Sequence, residues 1–112
     1  MSNFQELENV INGLTGIHKM VIVARDGTLL NHGSKRNNNL ANYVAYVAIT
    51  AEQLRPHLGF NGPYHMIMEQ TSGDKILALL GEQIILGIEL DAHVSPAIIL
   101  ERINPVFEQI IV

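Results

Sequence analysis

A short hairpin signal between two helical patterns constrains this chain more than any other feature. Residues 17–24 (IHKMVIVA) are rich in β-branched and apolar side chains, and Asp26-Gly27 separates them from a second strand pattern over 28–32. Asp-Gly supplies the positive φ angles that a tight hairpin turn needs. An amphipathic helical repeat precedes this hairpin and another follows it. The order helix, hairpin, helix greatly narrows the choice of folds.

The remaining elements follow from periodicity and turn residues. The pattern predicts helices over about 2–14, 39–58 and from Ser95 onwards, and strands over 64–70, 75–80 and 83–90. Pro56 is predicted to kink or end the second helix, and Pro105 to kink or break the third. The last two strands are apolar on both faces, so helices should cover both faces of the sheet. The sequence therefore predicts one α/β (α+β) domain over 1–112, ordered α-β-β-α-β-β-β-α, with a five-stranded antiparallel sheet.

The second predicted helix is apolar nearly all round. No charged residue occurs between Arg36 and Glu52. One stripe of the helix should face the core: Leu40, Val44, Val47, Ala51, Leu54 and Leu58. Such a helix is expected to be covered on two sides, either by a second layer of its own chain or by another subunit. We predict a subunit interface formed by this helix and the methionine-bearing strand: Tyr43, Ala45, Tyr46, Ile49, Tyr64, Met66 and Met68.

Composition argues against several classes of function. Seven Lys and Arg against eleven Asp and Glu give a net charge of −4, so no basic stripe for nucleic acid is present. The absence of cysteine excludes disulfides, zinc thiolates and cysteine nucleophiles. No two of the five histidines have helical metal-ligand spacing, and no Ser lies in a nucleophile elbow. We therefore predict no enzyme activity, cofactor or metal, and a cytoplasmic protein without a signal peptide or membrane insertion.

Four local motifs, taken in order, resemble the roadblock/LC7 family, whose fold is related to profilin and longin domains. They are Leu14-Thr15-Gly16-Ile17, residues 21–27 (VIVARDG), Leu40-Ala41 and Leu79-Leu80-Gly81. The resemblance implies a non-enzymatic homodimer in which the second helices pack together and the third strands pair edge to edge. Relatives regulate or scaffold Ras-like small GTPases, serve as dynein light chains or join membrane-docked complexes. Short prokaryotic members are commonly linked to a gliding-motility GTPase.

The leading hypothesis is a homodimeric interaction module that binds and regulates a Ras-like small GTPase. Its predicted partner contacts are the loop cations Arg25, Lys35 and Arg36. Two alternatives remain open: a small-molecule-sensing profilin-like or PAS-like domain, and a structural subunit of a larger complex. Native mass spectrometry separates the first two, because the module predicts a bare dimer and the sensor a bound small molecule.

Overall fold

Three helices and four strands make up the part of the chain that the computed structural model describes, residues 3–30, 37–58, 65–81 and 83–109. In chain order they are α1 (Asn3–Asn12), β1 (Ile17–Ala24), α2 (Asn38–Leu58), β2 (His65–Glu69), β3 (Lys75–Leu80), β4 (Ile84–Leu90) and α3 (Pro96–Phe107). The predicted mixed α+β class is confirmed, and each predicted helix and four of the five predicted strands recur close to their expected bounds. Tyr64, the predicted start of the third strand, lies outside the described residues.

The four strands form one antiparallel sheet in the order β1-β4-β3-β2. β4 pairs with β1 from Ile17 opposite Leu90 to Ala24 opposite Ile84, with an irregularity at His18. β3 pairs with β4 on one side and with β2 on the other. Among the described residues β2 is therefore an edge strand, and its outer backbone groups have no partner strand.

The prediction of a fifth strand over 28–32 is wrong for the residues that the structure describes. Only Leu29 is paired there, by a single bridge to Val23, and the Leu30 N–H donates to the Ile22 carbonyl at 2.7 Å. The turn is a three-residue loop in which only Gly27 has a positive φ, of 95°. A strand needs successive paired residues, and one bridge is too little. Residues 31 and 32 lie outside the described ranges.

The proline predictions have different outcomes. Pro56 lies in the last turn of α2, which ends at Leu58, in agreement with the predicted end of that helix. Pro105 does not break α3, which runs from Pro96 to Phe107. Pro105 removes one N–H from the helix, but its ring is exposed and so is Glu101 one turn earlier. The carbonyl that loses its partner can therefore be hydrated, which lowers the cost of the interruption.

Two apolar clusters, one on each face of the sheet, hold the helices in place. The first joins α1 and α3 to the sheet through residues such as Leu7, Ile103 and Leu86. The second joins α2 to the opposite face through Val44, Val47, Ala51 and their neighbours. The predicted placement of helices on both faces is confirmed. Within the described ranges no helix is both long and apolar enough to cross a membrane.

Candidate interaction surface

α2 exposes a row of large apolar side chains on the side facing away from the sheet. Its inward residues Leu40, Val44, Val47 and Ala51 are buried, as the predicted stripe requires. Tyr46 is nevertheless 71% exposed and Ile49 is 52% exposed. Tyr43 and Leu54 also have more than two-fifths of their area exposed. We call these four residues the outer α2 face: Tyr43, Tyr46, Ile49 and Leu54.

Leu54 corrects one detail of the sequence prediction, which placed it in the core stripe. It is 42% exposed. Eleven residues separate it from Tyr43, about three helical turns, so the two side chains share one side of the helix. Buried Val47, seven residues earlier, is equally close around the helix, so Leu54 lies at the border between the core stripe and the exposed side and spacing alone could not assign it. Leu58, the other end of the predicted stripe, has a side chain outside the described part of the chain.

The outer α2 face is continuous with the edge of the sheet at β2. Met66 and Met68 are half-buried and pack against the apolar cluster beneath α2. The Tyr43 hydroxyl donates a hydrogen bond to the Met68 sulfur at 3.1 Å, which joins helix and strand directly. Ile67 on the other face of β2 is 45% exposed. We call the outer α2 face together with β2 the α2/β2 surface.

The structure brings most of the predicted interface residues into this one surface. Ala45 borders it, half-buried against the cluster beneath α2, and the other placed residues belong to it: Tyr43, Tyr46, Ile49, Met66 and Met68. Tyr64 lies outside the described residues. Sequence reasoning missed Ile67 because alternation assigned it to the opposite face of the strand. Both faces of an edge strand can be exposed, and β2 is an edge strand only because it lies at the end of the strand order.

Arg25, one of the predicted partner contacts, is already engaged by its own chain. Its Nη1 donates to Glu52 of α2 and its Nη2 donates to the carbonyl of Gly81, and the side chain is only 28% exposed. The contacts tie the first hairpin to α2 and to the β3–β4 turn. A guanidinium held in this way must leave Glu52 before it can reach a partner. Lys35 and Arg36, the other predicted contacts, lie outside the described residues.

Replacement of Arg25 by Ala is expected to lower the free energy of unfolding modestly. The charged hydrogen bond to Gly81 and the pair with Glu52 are lost, but Glu52 is half-exposed and screened, so we expect a loss of about 1 kcal/mol. Urea denaturation of the Arg25→Ala, Glu52→Ala and double variants measures the coupling. Additive single effects would show that the pair contributes nothing to stability.

One other group of polar side chains converges away from the α2/β2 surface. His18, Asp74 and Asp91 offer ligand atoms within 4.8 Å of one another, and His18 Nε2 lies 3.4 Å from Asp91 Oδ2. Asp74 accepts the Ala92 N–H at 3.0 Å, and Asp91 accepts the His93 N–H at 2.9 Å. The latter bond is the main reason that the pKa of Asp91 is lowered. These carboxylates therefore satisfy turn N–H groups after β4.

Comparison with known proteins gives the same fold. No protein-family model and no curated protein sequence matches the chain. Among solved structures, a roadblock/LC7 domain from Streptomyces avermitilis aligns with a TM-score of 0.77 at 11% identity, over 90% of this chain and 88% of that one. MglB from Myxococcus xanthus aligns at 0.72 and 19% identity, over 92% and 84%. A structure described as MglB with tetrameric arrangement aligns at 0.66 and 19%, over 96% and 80%.

The chain therefore has the roadblock/LC7 fold. The alignments cover most of both chains, and the order of helices and strands is the predicted one without the strand over 28–32. Identities below one-fifth carry no information on individual site residues.

Proposed function

We propose that this protein is a non-catalytic homodimeric interaction module and that it binds and regulates a Ras-like small GTPase. The observation that carries the proposal is the α2/β2 surface. There an exposed apolar helix face, with Tyr46 and Ile49 at its centre, is continuous with a strand edge that no other described strand covers. Monomeric proteins rarely leave a large apolar patch beside an open strand edge.

A second copy of the chain is the occupant that covers both halves of this surface at once. In a two-fold dimer each copy presents the same patch, so α2 packs on α2 while β2 meets β2. Tyrosine and methionine suit such a surface, since aromatic residues are enriched at interface centres and methionine adapts to irregular neighbours. Self-assembly is also named for one structure of this fold, MglB with tetrameric arrangement.

The GTPase part of the proposal depends on the resemblance to roadblock/LC7 proteins, whose prokaryotic members are commonly linked to a small GTPase. The residues agree with a role in binding rather than in chemistry. Arg25 is held by Glu52 and Gly81, so it is poorly placed to stabilise charge on a transferring phosphate. Any stimulation of hydrolysis would therefore come from ordering the switch residues of the GTPase itself. Arg25, Lys35 and Arg36 remain proposed contacts.

Affinity capture from the native extract, with GDP or a non-hydrolysable GTP analogue added, tests this function. We expect a Ras-like GTPase to be enriched in one nucleotide state, identified by mass spectrometry and then bound by the purified protein. A nucleotide-independent assembly would instead support a structural subunit. A small molecule that copurifies, seen by native mass spectrometry, would support a sensor. Either result would contradict the regulator.

A further inference from the structure

The hydrogen-bonding direction of β2 determines which of its residues can pair with another strand. The Gln70 N–H donates to the Asp74 carbonyl at 2.8 Å, on the side of β3. Backbone groups alternate in direction along an antiparallel strand, so those of Met68 and Met66 also point towards β3. Those of His65, Ile67 and Glu69 point to the open edge.

A two-fold axis then permits only a few registers between two β2 strands. Outward-pointing residues must face one another across the axis, so the axis passes through one of the five residues of β2. An axis at either end of the strand would pair a single residue with its own copy, which leaves Met66, Ile67 and Met68. With the axis at Met66, His65 faces Ile67 of the second copy. With the axis at Met68, Ile67 faces Glu69 of the second copy. Both arrangements place an apolar side chain opposite a polar or charged one.

The register centred on Ile67 matches every side chain with a suitable neighbour. Ile67 then faces Ile67 of the second copy, Met66 faces Met68, and His65 faces Glu69. The strand reads His-Met-Ile-Met-Glu and is therefore complementary to itself when reversed. Apolar pairs and pairs of a basic with an acidic side chain stabilise directly opposed positions in a sheet.

We propose that the homodimer pairs its two β2 strands in this single register, with a reciprocal His65–Glu69 contact on each side of the axis. This register rests on the proposed dimer. The self-complementary sequence of β2 is what would favour a second copy of this chain over another strand as its partner. Both side chains are exposed and available. Within the described part of the chain, Glu69 has one ion-pair neighbour, Lys75, whose Nζ lies 3.9 Å away, too far for a hydrogen bond, while Glu69 remains 68% exposed.

The first experiment is a charge series at position 65. His65→Lys and His65→Glu are compared in the natural background and with Glu69→Gln, and the dimer dissociation constant is measured by sedimentation equilibrium. In the natural background the dissociation constant of the His65→Lys dimer should be about tenfold lower than that of the His65→Glu dimer. The reason is that the two symmetric contacts with Glu69 are attractive in the first variant and repulsive in the second. The ratio should collapse in the Glu69→Gln background. Glu69→Gln also removes the contact between Glu69 and Lys75. This loss is common to both position-65 variants in that background, so it does not affect the ratio of their dissociation constants.

Directed cross-linking gives an independent readout, because the chain has no cysteine of its own. In the proposed register the two copies of residue 67 face each other with Cα atoms about 5.5 Å apart, within the range that a disulfide spans. Ile67→Cys should form a covalent dimer on oxidation. His65→Cys is the matched control, since its two copies would be offset by four residues, about 13 Å, along the strand direction and so lie beyond the reach of a disulfide.

The outcomes separate the register from the function. A dimer in which the Lys-to-Glu ratio ignores Glu69, or in which His65→Cys cross-links as readily as Ile67→Cys, overturns the register and leaves the dimeric module standing. A protein that is monomeric throughout the accessible concentration range overturns the dimer and the register together.

Discussion

Ile49→Glu is expected to convert the proposed dimer into a monomer at micromolar concentration. Ile49 lies at the centre of the outer α2 face and is 52% exposed in the single chain, so in the monomer the new carboxylate stays hydrated. In the dimer it would be buried without a partner, twice, once from each copy. Removal of a charge from water without compensation costs several kcal/mol, so the dissociation constant should rise at least about a hundredfold.

The chain offers a closely matched control for this substitution. Ile98 of α3 is 59% exposed and lies in the opposite helical layer. Ile98→Glu introduces the same charge on a similar helix surface and should leave the dimer intact. Sedimentation velocity gives the association state, and urea denaturation checks that both variants remain folded. If Ile49→Glu and Ile98→Glu both stay dimeric, α2 is not the interface.

Ala45→Glu is a weaker test of the same surface. Ala45 is half-buried against the cluster beneath α2, so a carboxylate there would disturb the packing of the helix on the sheet as well as any contact with a second copy. A loss of dimer would then have two explanations. Tyr46, with 71% of its area exposed, avoids this difficulty and makes Tyr46→Glu the better companion to Ile49→Glu.

Local sequence signals predicted most of the fold because they act over a few residues. The bounds of β1 and β3 agree with the predicted strands, and α2 begins one residue before its predicted start. In each case an apolar pattern ends at a turn residue or a proline, and both signals lie close together in the chain. The segment after Gly27 follows a turn signal, but a single bridge, from Leu29 to Val23, pairs it with β1. The prediction of a fifth strand is therefore wrong for the described residues of this segment.

The candidate surface was only partly predictable, since it depends on contacts between distant segments. Periodicity identified Tyr46 and Ile49 as lying across α2 from its core stripe. It gave no information that Arg25 would be held by Glu52 and Gly81, 27 and 56 residues away in the chain. The exposure of Ile67 depends on the position of β2 at the end of the strand order, which no pattern within β2 contains.

Gly87→Ala is expected to be strongly destabilising, because α2 packs unusually close to the sheet at this residue. A Cβ atom on Gly87 would lie 2.3 Å from Cγ2 of Val44 and 3.0 Å from Cγ2 of Val21. All three residues are buried, so α2 would have to move away from β4. Overpacking of this kind typically costs about 1–3 kcal/mol, and we expect a value near the upper end.

Because the outer α2 face is part of the same helix, this displacement should also weaken the proposed dimer. Gly13→Ala is the matched control: its added Cβ would meet backbone atoms only at 3.5 Å and beyond, at ordinary contact distance. Val44→Ala should partly rescue Gly87→Ala, since it removes the methyl group nearest to the new atom, and the two substitutions should be less than additive. Urea denaturation measures the free energy of unfolding of all four variants, and sedimentation measures their association. Equal stability of Gly87→Ala and Gly13→Ala would show that close packing at Gly87 does not position α2.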